Sequence, residues 1–230
     1  MPRNKHSFFR YILYTLIPIG IIIIAYPHIM RQIYKYHTEE LSSDFLLMSS
    51  EADTEDRENL RLRMQEYNLS LFDENQRELT SAEAYESSDF DMGAYSFEDG
   101  MAAFISIPAM DVELPVFLGA SKENMDRGAV LLSQTSMPVG GINSNAVIAA
   151  HRGASTAAMF RDIEKLQTGD AIYLTNCIET LTYKVAETRI ISPENVDAVK
   201  IQPGRDLITL VTCHPFPFNY QRYLVYAERA

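Results

Sequence analysis

From Met101 onward the sequence is divided into short apolar runs, each of strand length and each bounded by turn residues. Residues 103–107, 114–118, 146–150, 171–174, 181–186, 188–191, 207–212 and 220–226 are rich in aliphatic, β-branched and aromatic side chains, the composition of strands. Eight such runs predict a closed β-barrel, because closure leaves no sheet edge unpaired. One helix is predicted to interrupt them. Met159, Phe160, Ile163 and Leu166 form an apolar face that starts after Ser155 or Thr156 and stops before Gly169. A second, short helix is expected over residues 193–199.

The run 208–213 ends in Cys213, and Pro215 with Pro217 stops strand pairing just beyond it. If residues 220–226 return as the second arm of a hairpin, Arg222 comes to the same end as Cys213. A nucleophilic cysteine works as its thiolate and needs a partner for the proton. His151 ends the run 146–150 and sits at another strand tip. His214 is adjacent to Cys213 but faces the opposite side of a strand, which makes it the weaker partner. His37 lies near the apolar N-terminal segment and is given no role. Taken singly, a packed Cys, a hydrogen-bonded His and a surface Arg are the ordinary readings of these residues. Their combination points to a thiol, an imidazole and a guanidinium at one barrel mouth.

The run Thr209-Leu-Val-Thr-Cys213, Arg222 nine positions later and His151-Arg-Gly153 resemble the active site of a sortase, a bacterial cysteine transpeptidase. The resemblance spans about residues 101–228 and includes Ile105-Ser-Ile-Pro108, Asp111-Val-Glu-Leu-Pro115 and Pro138-Val-Gly-Gly141. The His-Arg-Gly form and the Pro-Val-Gly-Gly turn look most like class C, the pilin-polymerising branch. The resemblance implies an eight-stranded sortase-type barrel that takes a Leu-Pro-x-Thr-Gly-like sorting signal. Cys213 would attack the threonine carbonyl, Arg222 would stabilise the oxyanion, and His151 would move the proton. Thr212 would steady the site by hydrogen bonding. The acyl group would pass to an amine, either a pilin lysine or a peptidoglycan precursor. A hydrolytic cysteine protease using the same groups, and a non-catalytic tethered barrel, are the competing readings.

Residues 11–30 are apolar and uncharged, long enough as a helix to span a bilayer. Arg3, Lys5 and Arg10 in the tail 1–10 favour a cytoplasmic N-terminus and an extracellular remainder, as in a Gram-positive-type cell membrane. A cleaved signal peptide is the rival reading, but Tyr26-Pro-His-Ile-Met30 lacks a small-residue cleavage pattern. No later stretch is apolar enough to span, so a single-pass anchor is expected. Residues 31–72 read as a helical arm, with Leu60, Met64, Tyr67 and Leu71 at helical spacing and Asp53 or Thr54 as the cap.

Residues 73–100 carry nine acidic side chains against Arg77 alone and show no apolar period. Class C relatives carry a lid here, anchored by an Asp-Pro-aromatic tripeptide; the nearest match is Ser88-Asp89-Phe90, without the proline. As a lid, Asp89 would pair Arg222 and Phe90 would cover Cys213. As a linker, the segment would not touch the site. The catalytic barrel is placed at 101–230.

The two cysteines, Cys177 and Cys213, raise the question of a disulfide. A bridge would consume the thiol placed beside His151 and Arg222, so two free thiols are expected. The net charge of −11 argues against nucleic acid as a partner. No metal-ligand or phosphate-loop spacing is seen, and the chemistry calls for no cofactor.

Overall fold

The computed structural model describes residues 5–51, 53–79, 82–86, 90, 100–153 and 157–230. Two helices precede the barrel: α1 (Lys5–Glu51) and α2 (Thr54–Asp73). α1 is unbroken from the apolar segment into the arm, and it is long and apolar enough by length and composition to cross a membrane. The break between the helices falls at Asp53, whose carboxylate accepts from the Glu55 N–H at 2.9 Å and so caps α2.

The barrel strands are β1 (Met101–Ile107), β2 (Val112–Leu118), β3 (Ala129–Leu131), β4 (Ser144–Ala149), β5 (Ala171–Asn176), β6 (Thr180–Ile191), β7 (Asp206–His214) and β8 (Gln221–Arg229). They close in the order β1-β2-β3-β4-β7-β8-β6-β5. The fold class is therefore the expected eight-stranded barrel, though the eight strands are not the eight predicted. Residues 181–186 and 188–191 belong to the single strand β6, which bulges between Val185 and Glu187 where two register segments against β8 meet. β3 takes the place in the count. It is three residues long and pairs parallel to β2, through the short helix α3 (Lys122–Arg127) that makes the crossover.

Two predicted helices are corrected. Met159, Phe160, Ile163 and Leu166 are all buried, but they fold as turns and a 3-10 helix, Ile163–Lys165, rather than one α-helix. Only Val196–Val199 of the segment 193–199 is helical, again as 3-10. Side chains three apart, such as Phe160, Ile163 and Leu166, reach one face from either geometry, which is why the period was right and the element was not.

β7 is buried from Leu207 to Val211, so both of its faces are covered. The connection from β6 to β7 lies across its outer side: Tyr226 donates its hydroxyl to the Ala198 carbonyl at 2.6 Å, and Asn145 donates to the Val199 carbonyl at 3.0 Å. Only the tip of β7 beyond Thr212 emerges from this cover.

Candidate active site

The register of β7 and β8 pairs Cys213 directly with Arg222. Direct partners share a face, with Cβ atoms about 4.5–5.5 Å apart, so sulfur and guanidinium are neighbours by construction. On the other side of β7, the parallel β4 runs in register to Ala149 opposite Val211. The Ala150 N–H continues the ladder to the Val211 carbonyl at 3.2 Å, and the same register carries His151 opposite Cys213. All three side chains are half-buried.

Thr212 points to the other face of β7 and is buried. Its hydroxyl donates to the Ala150 carbonyl at 2.7 Å, locking the strand tips together one residue before the histidine and the cysteine. The Arg222 guanidinium donates to the Asn219 and Gln221 carbonyls at 3.2 and 3.0 Å, so it is drawn back onto its own loop. The peptide of His151 is fixed from below by the Phe160 N–H, which donates to its carbonyl at 3.0 Å.

Behind the thiol lies a charged cluster that the sequence reading missed. Arg152 donates one nitrogen to the Cys213 carbonyl at 3.3 Å and pairs another with Glu164 at 2.6 Å. His214 Nδ1 stands 2.9 Å from both Arg152 and Glu164. The hydrogen bond from Arg152 first of all holds the Glu164 carboxyl below the usual range; burial opposes it, and the proximity of Arg152 and His214 adds smaller lowering effects. His214, the weaker proton partner by strand alternation, thus belongs to this cluster and not to the thiol's face. The only sequence signal for the cluster is the adjacency of Arg152 to a strand-tip histidine. Nothing in the sequence marks Glu164 as turned toward it.

Gly153 completes the His-Arg-Gly run with φ +94°, a conformation that favours glycine. A Cβ there would lie 2.6 Å from the Arg161 side chain.

Cys177 lies at the opposite mouth. β6 and β7 both run antiparallel to β8, and β5 runs antiparallel to β6, so β5 ends where β7 begins. Cys177 follows β5 directly, and both cysteines are free thiols. Burial pushes the Cys177 thiol up to about 11.

Of the two residues expected in a lid, Asp89 lies outside the described residues and Phe90 is described. The Phe90 ring meets Tyr67 of α2 edge-on at 5.4 Å, with Arg63 over its face. Asn68, the next residue of α2, is bonded to Met137, and neighbouring Pro138 accepts from Asn176 at the end of β5. Phe90 is therefore packed against α2.

Comparison with known proteins decides the family. The Sortase domain family matches residues 105–230, more than half of the chain. The chain belongs to the sortase family. Members of this family are cysteine transpeptidases. Sortase A of Streptococcus agalactiae is 31% identical over 127 residues, 54% of this chain and 51% of that protein. Sortase A of Bacillus anthracis is 32% identical over 121 residues, 53% of this chain and 56% of that protein. The match thus spans about half the length of these curated relatives. Solved sortases cover more. Sortase C-1 from Streptococcus pneumoniae has a TM-score of 0.72 at 35% identity, covering 82% of this sortase and 96% of that chain. Sortase C1 of Group B Streptococcus Pilus Island 1 has a TM-score of 0.72 at 28% identity, covering 84% and 91%.

Proposed function

We propose that this sortase is a membrane-anchored, pilin-polymerising transpeptidase. It cleaves a Leu-Pro-x-Thr-Gly-like sorting signal between Thr and Gly and joins the new acyl end to a pilin lysine. The observation that carries the reading is the direct cross-strand pairing of Cys213 with Arg222, with His151 in the parallel register on the other side. Likeness to the sortases C extends over 82–84% of the chain and so includes helical residues before the barrel, which supports the pilus branch.

The steps follow from the placement. The Cys213 thiolate attacks the threonine carbonyl carbon, and the carbonyl π electrons move to oxygen. Arg222 exchanges its loop carbonyls for this oxyanion, which holds full charge where the substrate carbonyl held only a dipole. Collapse breaks the C–N bond, and His151 as imidazolium protonates the leaving glycine amine. A thioester remains on Cys213. The acceptor amine attacks it, His151 takes the amine proton, an amide forms and the thiolate leaves.

The Arg152–Glu164–His214 cluster touches only the Cys213 backbone in this sequence and acts by positioning the thiol. A second reading is favoured by the sortases A among the relatives: the acceptor is then the amine of a peptidoglycan precursor.

The test incubates the protein with a sorting-signal peptide, with and without hydroxylamine, and follows both by mass spectrometry. An acyl adduct on Cys213 and a hydroxamate product are expected, and neither in Cys213→Ala. Free acid alone, unaffected by hydroxylamine, would make the protein a hydrolase. Supplying a pilin-type lysine peptide or a peptidoglycan-type amine then separates the two acceptor readings.

A further inference from the structure

Because α1 is unbroken, the docking of its C-terminal half decides where its apolar half leads. Phe45 is fully buried, and its ring meets Phe104 of β1 edge-on at 5.6 Å. Leu41, Phe45 and Met48 line a cleft with Met101 and Phe117, at the start of β1 and the end of β2. These contacts lie on the half of the barrel nearer Cys177. Nearer the N-terminus, the Tyr34 hydroxyl donates to the Arg127 carbonyl at 3.1 Å. Arg127 ends α3, whose Asp126 is within electrostatic reach of His151. Between Phe45 and Tyr34, about 16 Å of helix therefore climbs toward the mouth that holds the active site.

Arg31 lies one turn further along, and the uncharged run 11–30 begins beyond it. A bilayer around that run starts within about 5 Å of the level of Tyr34, on the active-site side of the barrel. The β7–β8 loop stands at the same mouth and exposes three rings at alternate positions: Phe216 at 66%, Phe218 at 75% and Tyr220 at 63%. No acidic residue occurs from His214 to Ala227, in a chain whose net charge is −11. Exposed aromatic rings on a loop that carries no carboxylate of its own suit the headgroup layer, where an apolar body and a polar edge are both accommodated.

We propose that the β7–β8 loop docks on the lipid surface. Phe216, Phe218 and Tyr220 enter the headgroup layer, and the mouth bearing Cys213, His151 and Arg222 faces the membrane. The inference rests on the anchor reading of α1. It implies that a polypeptide held in the same membrane presents the stretch just outside the bilayer to the thiol.

The chain contains no tryptophan, so a single substitution gives a unique reporter. The full chain is reconstituted in phosphatidylcholine–phosphatidylglycerol vesicles with or without brominated acyl chains, as three variants. Phe218→Trp reports the loop and Tyr26→Trp the helix. Ile142→Trp, 67% exposed in the turn before β4, reports the opposite end. Retained hydroxamate formation shows that each variant is folded. Expected is loss of most emission from Phe218→Trp and Tyr26→Trp on brominated lipid, with Ile142→Trp unaffected.

Quenching at Tyr26→Trp without quenching at Phe218→Trp overturns the docking and leaves the anchor standing. Quenching at neither removes the anchor and the docking together. A blue shift of Phe218→Trp that brominated lipid does not quench assigns the loop to a protein surface instead, and also overturns the proposal.

Discussion

Glu164 receives the Arg152 guanidinium and stands 2.9 Å from the His214 ring, so one carboxylate joins the residue after His151 to the residue after Cys213. Its pKa is depressed in the folded chain, chiefly by Arg152. The contribution to stability is therefore present above the ordinary carboxylate pKa and is lost as pH falls through the depressed value. Wild type should exceed Glu164→Gln in its urea midpoint near neutrality, and the gap should close below about pH 4. Arg152 adds a catalytic consequence, because it also holds the Cys213 carbonyl. Arg152→Ala should lower the rate of thioester formation by about ten- to a hundredfold, through misplacement of the thiol. KM for the peptide should stay near wild type, since Arg152 bonds behind the cysteine. A drop in affinity with an unchanged rate would place Arg152 in substrate binding instead.

α2 shows at the scale of the element what a sequence reveals and what it hides. Its apolar positions Leu60, Met64 and Leu71 are buried as their spacing predicts. Asn68 is buried with them, one turn after Met64, yet an apolar count passes over it. Its amide donates to the Met137 carbonyl at 3.2 Å and accepts from the Met137 N–H at 2.6 Å, satisfying a peptide that no strand reaches. Asn68→Ala leaves the buried Met137 N–H unpaired, while the Met137 carbonyl keeps the Val139 N–H at 2.8 Å, and should cost about 1–3 kcal/mol, read from chemical denaturation. The juxtaposition of Cys213, His151 and Arg222 was legible because Cys213 and His151 sit at strand tips, which turns mark locally, and because one hairpin joins Cys213 to Arg222. β3 was not legible, being three residues with no room to alternate. Nor was the continuity of β6, since a bulge looks like a turn until the register of its partner strand is known. The contacts of Glu164 and Phe90 depend on tertiary packing, which no local pattern encodes.

The molecule as a whole keeps its two thiols at opposite barrel mouths in opposite environments. Cys213 is half-buried at the tip of β7, whereas Cys177 is 3% exposed and its thiol is pushed up to about 11 by burial. Since the thiolate is the reacting form, Cys177 near neutrality is both covered and protonated. The Cys177 mouth is further fixed by Asp206, which accepts from the Gly141 N–H at 2.8 Å and from the Tyr183 hydroxyl at 3.0 Å. Gly140 in the same turn has φ +64°, and a Cβ there would press on both Asp206 and Tyr183. Intact-mass analysis after brief alkylation should find one label on the native protein, at Cys213, and two after denaturation. In Gly140→Ala the strained turn should open that mouth more often, so Cys177 should label faster at sub-denaturing urea while Cys213 labels as before. Equal acceleration at both thiols would mean that the barrel opens as one unit, and that the Cys177 mouth has no separate local stability.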